Sequence, residues 1–421
     1  MRILVVHNRY RSSGPSGENT AVDDTVELLR AAGATVHTAM ISSDDIARRT
    51  RLGLVGTAAR VTWSPSGSRF LAAAIANSRP DVIHVHNTFP LLSNSILWAA
   101  RRDRVPVVHT LHNFRSLCAN GLLLRNGRPC TDCVGRSGVA GAVHGCYRDS
   151  AAATTPIVAA NIIHRGLRTM QSCVDRFIAP SDFLKNMYVR AGWSASRFVV
   201  TRNACSDPGL GEGPRDGIVC VSRLAAEKGV HDLIEAWAGT VPAGGAQLTI
   251  LGDGPERPRL ERLARSCHNV RFTGLASGDT VAEHLASAIA LVVPSRCYEV
   301  APRVVAEAYA AGTPVIAPRM GGLAELVADG RTGLSTKPHS ASSLACAIKQ
   351  MIASTDAARA LGAGARAFYE AEFSPATTVA NLMAIYKTAI EHRPEHARRQ
   401  PRTATSLARP AVTRRNGQEP T

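Results

Sequence analysis

One segment, Tyr298-Glu299-Val300-Ala301-Pro302-Arg303-Val304-Val305-Ala306-Glu307, indicates how the chain folds, because of the patterns on either side of it. The apolar run 290–294 before it predicts a buried strand. Residues 302–311 predict a helix, which Gly312 ends before a second apolar strand at 314–317. Glu299 then lies in the loop after a strand and Glu307 inside the helix. In open α/β sheets this edge is where ligands bind, and the free N–H groups of a helix attract anions there.

Two glutamates in an Ala-rich helical region are also common as solvated surface charges. The chain has 421 residues, of which 45% are hydrophobic and 19% charged, as in a soluble enzyme with two domains. Aromatic residues make up only 5%, which disfavours an RNA-stacking surface.

No apolar run approaches the ~20 residues of a membrane span. The apolar start, residues 1–7, predicts a first strand and no signal peptide, so we expect a cytoplasmic protein. The formal net charge of +16 has three explanations. The charge arises from an Arg-rich composition with a basic tail, or it serves to attract anionic nucleotide sugars or an anionic membrane surface. Membrane association is not favoured. We expect no nucleic-acid partner, since no recognition motif accompanies the charge.

The N-terminal half alternates apolar runs with helical patterns, which predicts a parallel sheet covered by helices on both faces. A helix is predicted at 20–32. The predicted strands are Arg2–His7, Thr35–Ala39, Val82–His86, Val107–Leu111 and Arg176–Ala179.

A second series of the same kind starts near Arg215, after a Gly- and Pro-containing linker at 207–214. Strands are predicted at 217–222, 247–251 and 270–273, and helices at 229–238 and 256–266. We therefore expect two Rossmann-like domains, 1–207 and 208–392, that face a cleft. The last helix, 375–392, is expected to pack back on the first domain, and the basic tail 393–421 to be disordered.

Several residue types suited to binding a charged ligand follow the predicted strands. Arg223 and Lys228 come just after the first strand of the second domain, at the same sheet edge as Glu299. Arg can hold two phosphate oxygens at once, although an Arg/Lys pair is often only solvent-facing. Gly252, in a Gly-x-Gly turn, is weak evidence by itself, and the absence of Gly-x-Gly-x-x-Gly after the first strand disfavours a dinucleotide site.

In the first domain, the loop 14–19 joins strand one to its helix, and Gly17 there would let a ligand approach the backbone. An ordinary flexible connection is the alternative. His112 ends a strand at the predicted cleft, and His84 and His86 alternate along a neighbouring strand, so their side chains point to one side. A histidine is more often structural than catalytic, and His86 is the weaker candidate.

Four of the ten cysteines are close together in the sequence. Cys118, Cys130, Cys133 and Cys146 include one Cys-x-x-Cys pair, which suits tetrahedral zinc. Reduced, unligated thiols are the other open interpretation, and redox chemistry is a third. The six remaining cysteines are expected to fill the core.

The segment around Glu299 and Glu307, with Ala308-Tyr309-Ala310-Ala311-Gly312-Thr313-Pro314-Val315-Ile316 and Gly321-Gly322-Leu323-Ala324-Glu325, closely resembles the Glu-x7-Glu signature of retaining GT-B glycosyltransferases of family 4. The resemblance covers about residues 1–390. Asn113-Phe114-Arg115-Ser116-Leu117-Cys118-Ala119-Asn120-Gly121 resembles a Cys-bearing bacterial subgroup and starts an insertion at about 113–150. The loop around Gly17 departs from the family's Gly-Gly-x-Glu-like pattern, since Pro15 and Ser16 stand among the glycines.

The resemblance implies transfer of a sugar from a UDP-sugar donor, with no cofactor required for catalysis. By the roles of the matching residues in the family, Arg223 and Lys228 would contact the diphosphate. Glu299 would orient the sugar, and Glu307 would bind the ribose. His112 would contact the donor sugar. Gly17, Gly252, Gly274 and the loop Val300-Ala301-Pro302 are the remaining candidates for donor binding.

The subgroup suggests UDP-N-acetylglucosamine as donor and a small hydroxylated natural product, such as an aminocyclitol, as acceptor. Exopolysaccharide or lipid-linked glycan assembly remains an alternative. A UDP-sugar 2-epimerase and a non-catalytic nucleotide-binding module are further alternatives on the same fold.

Overall fold

The alternation of apolar runs and amphipathic helices produces two parallel six-stranded sheets and a short hairpin. The computed structural model describes residues 1–12, 16–47, 51–211, 213–242, 245–267 and 269–392. The predicted disordered tail, 393–421, lies outside these residues. No helix in the described ranges is long and apolar enough to cross a bilayer.

The first sheet has the order β2-β1-β3-β4-β7-β8. All its pairings are parallel. The strands of this half, including the hairpin β5–β6, are β1 (Arg2–Arg9), β2 (Thr35–Ser42), β3 (Val82–Val85), β4 (Val107–Thr110), β5 (Leu124–Arg125), β6 (Arg128–Pro129), β7 (Arg176–Ala179) and β8 (Phe198–Val200). The helices are α1 (Gly17–Ala31), α2 (Asp44–Ala47), α3 (Arg51–Thr62), α4 (Pro65–Ser78), α5 (Leu97–Arg102), α6 (Val139–Val143), α7 (Ala151–Gly166), α8 (Thr169–Cys173) and α9 (Asp182–Arg190).

The second sheet has the order β11-β10-β9-β12-β13-β14, again all parallel. Its strands are β9 (Ile218–Val221), β10 (Leu248–Leu251), β11 (Val270–Gly274), β12 (Ala290–Val292), β13 (Val315–Pro318) and β14 (Gly333–Thr336). The helices are α10 (Val230–Ala238), α11 (Arg257–Leu263), α12 (Gly278–Ser287), α13 (Arg303–Ala310), α14 (Leu323–Leu326), α15 (Ala341–Ala353), α16 (Thr355–Glu372) and α17 (Pro375–Glu391). Short 3₁₀ turns lie at Asn94–Ile96, Ala195–Arg197, Ala226–Lys228 and Ala264–Ser266.

These sheets confirm the predicted pair of Rossmann-like domains. Each predicted strand is present, with ends that differ by at most three residues. Both sheets have helices on both faces, because the strands are buried on both sides and every crossover passes through a helix.

The last helix returns to the first sheet. Leu382, Ile385 and Tyr386 of α17 pack in one apolar cluster with Ile3 and Val5 of β1. Tyr386 is fully buried, and its hydroxyl is 2.7 Å from Nδ1 of His84 on β3. This helix therefore completes the core of the first domain although it follows the second domain in the chain.

Candidate active site

A cleft of about 510 Å³ lies where the carboxyl ends of the two sheets face each other. Loops after β1 and β4 form one wall, and loops after β9, β10 and β12 form the other. Parallel strands leave their carboxyl ends at one edge of a sheet, so residues far apart in sequence meet there. Six of the predicted residues, together with the loop 300–302, line this cleft: Gly17, His112, Arg223, Lys228, Gly252 and Glu299.

Lys228 and Glu299 form the central contact of the cleft. The Nζ atom of Lys228 is 2.7 Å from Oε1 of Glu299, which also accepts a hydrogen bond of 2.6 Å from the Ser295 hydroxyl. Burial acts to raise the pKa of Glu299, but Lys228 and Ser295 outweigh it, so the pKa is below its ordinary value. Burial likewise acts to lower the pKa of Lys228, and Glu299 outweighs it. Both groups are therefore charged at neutral pH.

Two glycines allow the backbone of this wall to pack closely. A Cβ atom at Gly322 would lie 1.9 Å from the carbonyl oxygen of Val300, and the Gly322 amide donates to the Glu299 carbonyl at 2.7 Å. The Gly-Gly pair thus holds the loop that carries Glu299. At Gly252, φ is +136° and a Cβ would lie 1.9 Å from the Ser222 carbonyl, so only glycine fits between these two cleft loops.

Arg223 is more open to solvent than Lys228. Its side chain is 57% exposed and contacts Glu227, which lies on the 3₁₀ turn 226–228 together with Lys228. A guanidinium that is exposed in a cleft can turn toward an anionic ligand at little cost, because few of its contacts have to be broken.

Two predicted residues are not among those that line the cleft. The Gly274 carbonyl accepts a hydrogen bond of 2.7 Å from the amide of Gly252, which does line the cleft. Glu307 instead pairs with Arg303, whose Nε is 2.6 Å from Oε1 of Glu307. Arg303 also contacts Asp24 of α1, so the three side chains connect the two domains. Donor binding by Gly274 and Glu307 stays a prediction.

A second contact between the domains involves Glu325. Its carboxylate accepts hydrogen bonds from the backbone amides of Asp182, at 2.9 Å, and Phe183 at the start of α9. Arg202 also lies 3.5 Å from this carboxylate. An acidic group is favoured at a helix N-terminus, so Glu325 stabilises the orientation of one domain against the other.

His112 belongs to a buried group of histidines. Its Nε2 is 2.8 Å from Nδ1 of His86, and the rings of His84 and His86 lie 4.1 Å apart, which confirms that these two point to one side of the strand. Burial lowers the pKa of His112 to about 3 and that of His86 well below its ordinary value. Both imidazoles are therefore neutral at pH 7, and His112 is suited to hydrogen bonding rather than to carrying charge.

The four clustered cysteines line one small cavity beside the hairpin. However, in the described ranges no three Cys, His, Asp or Glu side chains are placed to hold a metal ion, so the predicted zinc site at Cys118, Cys130, Cys133 and Cys146 is not supported. Zinc is bound by thiolates. Here the Cys118 thiol donates to the Asn120 side chain at 3.0 Å, and burial raises the pKa of Cys133 and Cys146.

The sequence reasoning missed several groups that the fold brings to the cleft. Ser295 and Glu227 each contact a predicted residue, and both stand within five residues of it, so this spacing was a usable signal. Glu18 lies within the loop 14–19 that was predicted to approach a ligand, but it was not singled out. Arg303 lies between the two glutamates, and its contact with Asp24 could not be found from sequence because 279 residues separate the pair.

Two family models match the chain in succession. The model for glycosyltransferase family 4 matches residues 15–206, and the model for glycosyl transferases group 1 matches residues 215–354. Together they span both sheets.

Individual relatives agree with these models. The chain is 31% identical over 347 residues to a D-inositol 3-phosphate glycosyltransferase of Geodermatophilus obscurus, covering 79% of this chain and 71% of the relative. It is 32% identical over 174 residues to the alpha-D-kanosaminyltransferase of Streptomyces kanamyceticus, covering 40% of this chain and 47% of that one.

The fold is shared with Anabaena HepE, solved with UDP and glucose. The TM-score is 0.63 at 19% identity, over 91% of this chain and 98% of HepE. The family models and the relatives thus confirm the resemblance to family 4 found in the sequence, and the structure confirms the arrangement of two facing parallel-sheet domains. The chain belongs to glycosyltransferase family 4 and is a GT-B enzyme that uses a nucleotide-sugar donor.

Proposed function

We propose that the protein transfers N-acetylglucosamine from UDP-N-acetylglucosamine to a hydroxyl group of a small natural-product acceptor such as an aminocyclitol, with retention of anomeric configuration. The observation that best supports this is the largely covered Lys228–Glu299 pair in the cleft, at 2.7 Å. It places a fixed cation beside a fixed carboxylate, as a sugar diphosphate requires. The donor is the co-substrate, and the reaction needs no further cofactor.

The cations act on the leaving diphosphate. The Lys228 ammonium has three N–H donors, and its hydrogen bond to Glu299 uses one, so the other two are available to phosphate oxygens. Arg223 would turn from Glu227 to the same phosphates. Cations fixed in a poorly hydrated cleft stabilise the charge that develops as the C1–O bond breaks.

The donor sugar is held on the Glu299 side of the Lys228–Glu299 pair. Glu299 accepts from Lys228 and Ser295 through Oε1, which leaves Oε2 for a sugar hydroxyl. His112, a neutral imidazole at the opposite wall, contacts the same sugar. Glu307 binds the ribose once its contact with Arg303 rearranges, and Gly17, Gly252, Gly274 and the loop 300–302 bring backbone groups close to the donor.

The acceptor hydroxyl attacks C1 on the face that the diphosphate leaves. The new O–C1 bond forms as the C1–O bond to phosphate breaks, and the hydroxyl proton passes to a leaving phosphate oxygen. The intervening state is oxocarbenium-like. A small cyclic acceptor is supported by the name of one relative, a D-inositol 3-phosphate glycosyltransferase.

Release of UDP tests the proposal. The protein is incubated with UDP-N-acetylglucosamine, UDP-glucose or GDP-mannose and with pooled cyclitols and aminocyclitols, and the product is examined by NMR. We expect UDP release with the first donor, dependent on acceptor, and an axial anomeric linkage as in the donor. An inverted linkage would exclude retention, and preference for GDP-mannose would exclude the proposed donor.

The same experiment separates the alternatives. Formation of UDP-N-acetylmannosamine without acceptor would identify a 2-epimerase. Turnover only with a lipid-linked or polymeric acceptor would favour glycan assembly. Binding of UDP with no turnover in any mixture would indicate a nucleotide-binding module.

A further inference from the structure

A side cavity of about 70 Å³ opens from the cleft into the first domain. Glu18, His112 and Asn113 line both spaces and therefore form the junction between them. The other residues that line the side cavity all belong to the first domain. A molecule in the side cavity would thus lie next to the donor without occupying the donor's place.

Four buried polar atoms of residues that line this cavity have no hydrogen-bond partner in the part of the chain that the structure describes: Oε1 of Glu18, Nε2 of His86, Nδ1 of His109 and Nε of Arg115. Buried polar atoms in folded proteins are nearly always paired, since an unpaired one costs about 1–3 kcal/mol. Four of them around one cavity indicate a space built for polar contents.

The unpartnered atoms differ in what they require. Nε of Arg115 is a donor. Nε2 of His109 lies 2.7 Å from the His86 carbonyl oxygen and therefore carries the hydrogen. Burial lowers the pKa of His109 to about 4, so the ring is neutral and Nδ1 is an acceptor. Oε1 of Glu18 is a second acceptor, and Nε2 of His86 donates or accepts according to the tautomer of that ring, so the set is mixed. Hydroxyl groups both donate and accept, so several hydroxyls on one molecule satisfy this set better than a purely acidic or basic group.

The cavity has the size of one ring. One water molecule needs about 10–15 Å³ of cavity volume, so a cavity of 70 Å³ holds roughly five to seven waters. This is about the space that a single hydroxylated six-membered ring fills. Phe89, Ile157 and Ala160 supply apolar wall for the C–H groups of such a ring. The Arg115 guanidinium lies 4.3 Å from the centroid of the Phe89 ring, which fixes its position.

We propose that this cavity is the acceptor subsite and takes a compact cyclic polyol, with the reacting hydroxyl at the junction beside Glu18. The inference rests on the proposed function, which requires an acceptor hydroxyl next to C1 of the donor sugar. Glu18 holds that hydroxyl through Oε1, while its Oε2 accepts from the Tyr10 hydroxyl at 3.1 Å. An ammonium in place of a ring hydroxyl is the other group that Glu18 could bind, and the experiment distinguishes the two.

The environment of Glu18 supports this role. Burial raises its pKa to about 7, although Tyr10, Arg115 and Asn113 act in the opposite direction. Such a carboxyl group lacks the solvation that an ordinary surface glutamate has. A hydroxyl that enters the cavity replaces that missing solvation at Oε1, so the contact contributes to acceptor binding.

Two variants and one control variant test the subsite. Ala160→Leu fills the cavity from α7, and Ala152→Leu makes the same change at an exposed position of that helix. Glu18→Gln keeps the shape of the side chain and removes the carboxylate. Acceptor-dependent UDP release is measured with a panel of cyclitols that includes scyllo-inositol and scyllo-inosamine, which differ by one hydroxyl-to-amine exchange. Calorimetry with UDP follows the donor site separately.

We expect Ala160→Leu to lose at least 100-fold in kcat/KM for the cyclitol and Ala152→Leu to lose nothing. Glu18→Gln should raise KM for scyllo-inositol about tenfold and leave KM for the donor unchanged. All three should bind UDP like the parent protein. Equal activity of the two leucine variants would overturn the inference, as would parent activity on a glycan acceptor but on no cyclitol. A tenfold preference for scyllo-inosamine would reject the neutral polyol in favour of an amine. Absence of UDP binding in the parent protein would reject the proposed function itself.

Discussion

Replacement of Lys228 by methionine removes the cation from a pair in which both side chains are largely covered. Lys228 is 26% exposed and Glu299 12% exposed, and their charged atoms lie 2.7 Å apart. Breaking a buried pair by removing one partner costs about 3–5 kcal/mol, because the other charge stays buried. Since Lys228 is partly exposed, we expect the lower end, about 3 kcal/mol, which corresponds to a decrease of about 6–12 °C in the Tm of the second domain.

The pH dependence of this loss identifies its cause. In the variant, Glu299 stays buried without Lys228, so its pKa in the folded state is raised above the unfolded value. A carboxyl group of this kind destabilises the fold increasingly as the pH rises from its unfolded-state pKa to its folded-state pKa. Protonation at lower pH removes the cost of the buried charge. The difference in Tm between the parent protein and Lys228→Met should therefore be largest near pH 8 and narrow toward pH 5.

Thermal melting followed by circular dichroism across pH 5–8 is the assay. Lys349→Met, at an exposed position on α15 of the same domain, is the control and should melt like the parent protein. The double variant Lys228→Met/Glu299→Gln should regain more than half of the lost Tm and none of the activity, because no buried charge remains. A difference in Tm that does not vary with pH, or a double variant less stable than Lys228→Met, would refute the reasoning.

Two further results are expected. Arg223→Ala should lower kcat by about 10²–10³ through loss of one stabilising contact to the diphosphate, with a Tm close to that of the parent because the side chain is 57% exposed; parent-like kcat in steady-state kinetics would exclude Arg223 from this role. Glu325→Gln should weaken the contact with α9 by about 1.5–3 kcal/mol, since a charged acceptor for the amides of Asp182 and Phe183 is lost. Hydrogen exchange at these two amides should accelerate, and unchanged protection would contradict the assignment.

The sequence by itself determined the repeated strand–helix units and hence the two parallel sheets. Apolar runs such as residues 290–294 and 314–317 are local signals, and the Gly, Pro and Glu pattern between them is specific enough to indicate the family. It also determined that Arg223, Lys228 and Glu299 follow strands and so lie at one edge of the second sheet. These predictions hold because the direction of a strand determines at which edge of the sheet the following loop lies.

The tertiary structure decided which of these side chains meet. Lys228 and Glu299 are 71 residues apart, and the Arg303–Asp24 contact joins the two domains, so neither pair has a local signal. Within the described ranges it also gives no support to the zinc site, because Cys-x-x-Cys spacing does not fix the direction of four thiols. The side cavity at Glu18 depends on how α1, α7 and the loop after β4 pack together. Contacts of this kind depend on distances across the fold, which the order of residues along the chain does not specify.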